Sequence, residues 1–190
     1  MVSFFDTPTL AQARRLFLGR SALVLSGPAV ALLAGNHTLA VAAGAADPKD
    51  VQILNTALGA ELEAIAAYQL GAQSNLLQKP ALDLALTFQG HHKEHADLLA
   101  KTVEKLGGKP SAAKTAYDFP VAQLKSQADV LRFAAKLEQG AVSAYLGAVP
   151  LFANRDLSKA AASILGDEAM HWAVLRQVLG EAPVPSAFMA

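Results

Sequence analysis

After residue 47, apolar residues recur every three or four positions in four separate stretches, a spacing that places them along one face of an α-helix. No stretch alternates apolar and polar residues as a half-buried strand does. We therefore predict an all-α domain, with helices over about residues 48–74, 80–106, 126–149 and 157–180.

Residues at the ends of these stretches support the helix boundaries. Asp47 followed by Pro48 is a typical helix start, and Gly107-Gly108 is a typical helix end. Asp156 or Ser158 is expected to cap the fourth helix. Short loops separate the helices within each pair, whereas residues 107–125 separate the two pairs. The sequence thus predicts a four-helix bundle of two antiparallel hairpins joined by a long crossover.

Six polar residues interrupt the apolar helix faces instead of lying opposite them. They are Glu61, His92, His95, Glu138, Glu168 and His171. Residues three apart are neighbours on a helix, so His92 projects with His95, and Glu168 projects with His171. Closing the bundle would gather three carboxylates and three imidazoles at its centre.

The charge of such a cluster needs compensation. Burying one unpaired carboxylate costs several kcal/mol, and three would approach the whole stability of a domain, roughly 5–15 kcal/mol. The lysines and arginines of these helices lie mostly on other faces, so protonation, water or cations must balance the charge. Two divalent ions would do so directly, and we predict that the six residues are metal ligands. A set of carboxylates and imidazoles suits iron, manganese or zinc.

Composition excludes several other functions. The chain has no cysteine, which rules out disulfides, thiolate zinc sites, iron–sulfur clusters and cysteine nucleophiles. Residues 46–190 contain 13 basic and 15 acidic residues and show no basic face, so nucleic acid is not an expected partner.

The first 45 residues have the layout of an export signal. Arg14-Arg15 precedes Leu-Phe-Leu, an apolar run covers 21–34, and small residues follow before the polar start at Asp47. This order resembles the twin-arginine signal, which implies the twin-arginine translocase as a partner during export. We predict that residues 1–45 are a cleaved signal, cut after Ala42 or Ala45, and that the protein is periplasmic.

An uncleaved membrane anchor is the alternative interpretation of this segment. Its apolar run is shorter than the roughly 20 residues that a spanning helix needs, and it contains Ser26-Gly27-Pro28. We therefore expect no stable membrane insertion after cleavage, and residues 46–190 are predicted to form the mature bundle.

The polar residues and their surroundings resemble the ferritin-like superfamily, most closely its exported bacterial proteins of the desiccation- or stress-related type. The resembling segments are Leu54–Glu61 with Tyr68, Glu138–Gly147 and Ile164–His171. The family pattern is a single Glu on each of two helices and Glu-x-x-His on the other two. The resemblance implies that Glu61 and Glu138 are the single carboxylates, that Glu168 and His171 are one complete pair, and that iron is the favoured metal.

The second helix departs from that pattern. His92 stands where the family has Glu, so the motif reads His92-x-x-His95. Three carboxylates leave two divalent ions with a net charge of about +1, since each carboxylate contributes one negative charge. His92 at this position affects whether a carboxylate bridges the two ions, whether two metals bind and which metal is bound.

Two functions are compatible with these residues. One is an exported metal-binding protein whose di-iron or mixed-metal centre consumes oxygen or peroxide in a stress role. The other is a protective or structural bundle without turnover, and whether the protein is an enzyme stays open. Assembly into a homo-oligomer is a third possibility, although the Pro-containing tail 181–190 is not the extra helix of a cage-forming ferritin.

Other polar and aromatic residues have simpler expected roles. His91 neighbours His92 but points about 100° away, so we expect it at the surface or beside the ligands. His37 belongs to the predicted export segment. Tyr68, Tyr145 and Trp172 are expected to be core or wall residues and not redox groups.

Overall fold

The computed structural model describes residues 47–189 and places four α-helices there. They are α1 (Pro48–Gln73), α2 (Lys79–Lys105), α3 (Gln127–Ala148) and α4 (Arg155–Val178). Helix α1 packs along α2 and α3 packs along α4, and a further contact joins α1 to α3. The predicted bundle of two hairpins with a long crossover is confirmed, and each helix ends within about two residues of its predicted position, as is usual for helix ends.

Side chains at the helix starts satisfy free backbone N–H groups. The Asp47 carboxylate accepts a hydrogen bond from the Lys49 N–H at 2.8 Å, as predicted for α1. The prediction for α4 was wrong, because its cap is Asn154, whose side chain accepts from the Asp156 N–H at 2.8 Å. The helix begins two residues earlier than its apolar repeat indicated, since Arg155 and Asp156 form a first turn that apolar spacing does not mark.

Two polar residues of α1 hold distant loops against it. The buried Asp50 carboxylate accepts hydrogen bonds from the backbone N–H groups of Ala153 (2.8 Å) and Asn154 (3.0 Å), just before α4. The Asn55 side chain donates to the Lys109 carbonyl (3.0 Å) and accepts from the Ser111 N–H (2.7 Å) in the crossover. These bonds tie two segments to α1, namely the residues just before α4 and the start of the crossover.

The crossover begins at a tight helix end. Gly107 has a φ of +78°, in the left-handed region that glycine adopts without strain. A Cβ on Gly108 would lie 2.6 Å from a methyl carbon of Val51, so only glycine fits this close approach. The expected glycine stop of α2 is therefore explained by both backbone shape and packing.

A buried hydrophobic cluster packs beside the polar centre. Its larger members are Tyr68, Phe88, Leu131, Trp172 and Leu175, all buried. Phe88 stacks on His171 with ring centres 4.0 Å apart. The core thus fixes the position of one ring at the centre.

The predicted export signal lies outside the described residues, so that prediction and the division at residue 45 remain predictions. Among residues 47–189, none of the helices combines the length and apolar character needed to cross a bilayer.

Candidate metal centre

The structure brings all six predicted ligands together in the middle of the bundle. Glu61 comes from α1, His92 and His95 from α2, Glu138 from α3, and Glu168 and His171 from α4. Five of them are buried to 3% exposure or less, and the His95 side chain is 14% exposed. The buried carboxylates lie on the helix faces that the apolar repeat turned inward, which is why the sequence pattern located them.

The six side chains form two overlapping groups, within each of which the candidate ligand atoms lie less than 4.8 Å apart. The first group is Glu61, His92, His95 and Glu168. The second group is His92, Glu138, Glu168 and His171. Glu168 and His92 belong to both groups. Glu168 is therefore the carboxylate that could bind an ion in either group.

Unsatisfied polar atoms test whether a metal fits this site. Among residues 47–189, the buried side-chain atoms without a hydrogen bond are His95 Nδ1, Glu138 Oε2, both oxygens of Glu168 and His171 Nδ1. All of them belong to the two groups, and buried polar atoms are otherwise almost always paired. His95 Nδ1 lies 3.1 Å from Glu168 Oε1 without hydrogen-bond geometry. Buried carboxylate oxygens and ring nitrogens without hydrogen bonds are what a divalent cation can use as ligands, so these residues fit metal binding.

Neighbouring carboxylates determine the protonation of the three imidazoles. Burial lowers the pKa of His92, but its bonds to Glu138 and Glu61 outweigh burial and raise that pKa to about 10. The pKa values of His95 and His171 rise to about 9 for the same reason. Without a metal, all three rings are therefore protonated at neutral pH.

The carboxylates respond in the opposite direction. Burial raises the pKa of Glu61 and of Glu138, yet hydrogen bonds from the histidines lower both below their usual values. Among the described residues, each ion pair of the buried glutamates is made with a histidine and none with Lys or Arg. The metal-free centre therefore balances its own charge, with imidazolium groups in the places that cations could take.

Two tyrosines orient Glu138 and Glu61. The buried Tyr68 hydroxyl donates to Glu138 Oε1, and the Tyr145 hydroxyl donates to Glu61 Oε1 at 2.5 Å. Burial and the adjacent carboxylates raise the pKa of both phenols well above 10. Both tyrosines are core residues, as expected, and they also hold the glutamates in place, which the sequence analysis did not anticipate.

Asp167 is a site residue that the sequence analysis missed. Its Oδ2 lies 3.0 Å from His91 Nδ1, 3.4 Å from His95 Nε2 and 3.2 Å from His171 Nε2. The spacing of four to His171 was a usable signal, because i and i+4 share a helix face. His91 lies at the edge of the ligands with a 41% exposed side chain, as predicted.

An open cavity of about 1190 Å³ leads to the centre between α1 and α3. Small residues line both sides, including Ala57, Ala60, Ala141 and Ala144. At its inner end lie Glu61, His92, Glu138 and Tyr145. The centre is thus buried but accessible through an apolar cleft, which we call the α1/α3 cleft.

Solved structures share this fold. A conserved hypothetical protein from Mycobacterium tuberculosis is 25% identical, with a TM-score of 0.64, covering 74% of this chain and 96% of that one. A ferritin-like, diiron-carboxylate protein from Bacillus anthracis str. Ames is 20% identical, with a TM-score of 0.59, covering 68% and 94%. A comparison with curated proteins gave no match.

The family comparison covers the whole bundle. Residues 49–181 match the model of the ferritin-like domain, a range that contains the four helices apart from Pro48, the six predicted ligands and Asp167. This chain belongs to the ferritin-like domain family.

Proposed function

We propose that this protein is an exported ferritin-like protein that binds two divalent metal ions, with iron favoured, and uses them to consume oxygen or peroxide. The observation that carries the proposal is the set of unpaired, buried ligand atoms in two overlapping groups. Metal ions would satisfy these atoms, none of which makes a hydrogen bond within residues 47–189.

The donor set supports first-row divalent metals. Carboxylate and imidazole together suit iron, manganese and zinc, and neither group selects strongly among them. One solved structure with this fold is described as a diiron-carboxylate protein, which makes iron the first metal to test. When bound, iron supplies the electrons that reduce oxygen or peroxide.

The residues of the chain divide the remaining work. Glu168 is placed to bridge the two ions, while Glu61 and Glu138 each serve one group. Tyr145 and Tyr68 each hold one oxygen of Glu61 and Glu138. The second oxygen of Glu138 has no partner and that of Glu61 meets His92 Nδ1, so these two oxygens would be the ones to bind metal. The α1/α3 cleft offers small molecules a path to the centre, and its apolar walls favour an uncharged oxidant.

Export to the periplasm and a stress role belong to this proposal. Their support is the twin-arginine pattern at Arg14-Arg15 and the resemblance to exported ferritin-like proteins. A bundle that acquires its metals before export is suited to a translocase that carries folded proteins.

Anaerobic titration with ferrous ion, followed by elemental analysis, tests the centre. The full chain is expected to bind at least two ions, and Glu168→Gln is expected to lose two, because Glu168 belongs to both groups. Glu94→Gln, an exposed carboxylate of the same bundle, is the matched control and should keep them. Equal metal content in the chain and in Glu168→Gln would overturn the assignment.

A protective bundle without metal is the second candidate. The observation that favours it is the internal charge balance of three imidazolium groups and three carboxylates. A centre that neutralises itself remains folded without any cation.

Thermal unfolding separates the two candidates. A ligand that binds only the folded state stabilises it by about 2.7 kcal/mol at a concentration of 100 times its Kd. We expect ferrous, manganous or zinc ion to raise the midpoint of the chelator-treated protein. An unchanged midpoint with all three metals would instead support the metal-free bundle.

A further inference from the structure

A second cluster of ligand-type side chains lies beside the inner centre, between α2 and α4. It consists of His91, Asp167 and His171, and we call it the outer cluster. The His91 side chain is 41% exposed and that of Asp167 is 22% exposed, whereas His171 is 2% exposed. The outer cluster therefore faces solvent on one side and the inner centre on the other.

Distances within the outer cluster match those between ligands of one metal ion. His91 Nδ1 lies 2.9 Å from His171 Nε2 and 3.0 Å from Asp167 Oδ2, and the last two atoms lie 3.2 Å apart. Ligands held 2.0–2.2 Å from a metal lie roughly 3 Å from one another when they occupy adjacent positions. Two imidazoles and one carboxylate on one face are also a known set for divalent iron with open positions.

Hydrogen bonding alone leaves this arrangement incompletely satisfied. His91 Nδ1 carries either one proton or one lone pair, yet it lies within bonding distance of two atoms. An ionised Asp167 has no proton to give, so it repels the lone pair of a neutral nitrogen. A cation between the three atoms would accept a lone pair from each of them.

We propose that the outer cluster is a third divalent-metal site, formed by His91 Nδ1, Asp167 Oδ2 and His171 Nε2. The ion is a first-row divalent metal such as zinc or ferrous iron, and water completes its coordination on the exposed side. His171 turns Nδ1 toward Glu138 and Glu168 and Nε2 toward Asp167. With the inner and outer sites both filled, its ring would lose both protons to solvent and serve as an imidazolate shared by two ions. The site thus lies between solvent and the inner centre. Its residues come from α2 and α4, whereas the α1/α3 cleft lies between the other two helices.

Zinc binding to the full chain tests this site, measured by equilibrium dialysis with elemental analysis. His91→Ala removes an outer ligand that is 41% exposed and belongs to neither inner group, so the fold and the inner centre should be unaffected. We expect His91→Ala to bind one zinc ion fewer than the unmodified chain. Glu94→Ala, an exposed residue on the same helix, is the matched control and should bind as many as the unmodified chain.

A second pair of variants makes the result independent of the inner centre. Glu168→Gln removes a ligand of both inner groups but none of the outer cluster. It should retain one zinc ion, and Glu168→Gln combined with His91→Ala should retain none. Failure of the inner centre alone would leave that single ion in place.

Three results would overturn the outer site. The first is equal zinc content in the unmodified chain and His91→Ala, and the second is a Glu168→Gln variant that binds no zinc. Loss of all zinc in His91→Ala would also overturn it, because His91 would then be a support of the inner centre. Absorption of bound cobalt(II), substituted for zinc, supplies a readout of the coordination that a purely structural effect of His91 would not produce.

Discussion

His92 Nδ1 lies 3.6 Å from Glu168 Oε1, and these two residues are the members that both inner ligand groups share. A histidine at the first position of the α2 motif therefore does not remove the shared carboxylate, because α4 provides it. The other nitrogen of His92 lies 3.3 Å from Glu138. The His92 ring thus occupies the space between Glu61 and Glu138. It must lose a proton before it can bind metal.

The overlap of the two groups predicts different losses for different glutamates. Glu61→Gln and Glu138→Gln should each reduce iron content by one ion per chain, since each residue belongs to one group. Elemental analysis after anaerobic loading measures this. If either variant lost no iron, that residue would not be a ligand.

Removing a tyrosine hydroxyl should weaken both the fold and the centre. Tyr68→Phe and Tyr145→Phe each delete a buried bond to a carboxylate, at a cost of about 1.5–3 kcal/mol. Metal affinity should fall about 10- to 100-fold, as is typical when a group that orients a ligand is lost. Urea unfolding and metal titration measure the two effects. Tyr117→Phe, in the crossover, is the control, and an equal loss there would contradict the orienting role.

The pKa shifts predict how the metal-free fold responds to pH. The pKa values of the three histidines rise from 6.5 to about 9 or 10. Their contribution to the free energy of unfolding is therefore complete below pH 6.5 and is lost as pH rises through 9–10. The pKa values of Glu61 and Glu138 are lowered from 4.5, so their contribution is present above pH 4.5 and is lost in acid. Chelator-treated protein should therefore be most stable between about pH 4.5 and 6.5, where both contributions are present.

Metal should remove the alkaline part of this dependence. Bound imidazoles are already deprotonated, so loading at pH 7 releases protons and the fold no longer depends on them at pH 9. Thermal midpoints across pH 4–10, with and without ferrous ion or zinc, measure this under anaerobic conditions. A metal-free protein with no loss of stability between pH 6.5 and 9 would contradict the imidazolium cluster.

Loss of the hydrogen bonds between buried Asp50 and the segment before α4 should clearly lower the free energy of unfolding. Asp50→Ala leaves the N–H groups of Ala153 and Asn154 without their shared acceptor, so we expect a loss of about 3 kcal/mol. Urea unfolding measures it. Asp83→Ala, which removes an exposed pair with Lys79, should cost less than about 1 kcal/mol. Comparable losses in the two variants would show that the Asp50 contacts are not strong.

Filling the α1/α3 cleft should slow access to the centre while leaving the ligands intact. Ala141 lines the cleft one turn from Glu138, so Ala141→Leu places a larger side chain across the path. Ferrous oxidation should slow more with a bulky organic hydroperoxide than with hydrogen peroxide. Stopped-flow absorbance measures both rates. Equal slowing for the two oxidants would indicate a damaged centre instead of a narrowed path.

The sequence by itself determined the four helices and the six inward polar residues. Apolar spacing is a local property, and residues such as Glu168 and His171 share a face because of helix geometry alone. The same reasoning missed the Asn154 cap, which lies outside the apolar repeat, and Asp167, whose spacing of four from His171 was a signal that it did not use.

Only the tertiary structure decided how these residues combine. Asp167 meets His91 across 76 positions, Tyr145 meets Glu61 across 84, and Glu168 enters both ligand groups. These contacts depend on how far one helix slides and rotates against the next. That offset is set by packing throughout the bundle, and the periodicity within one helix carries no information about it.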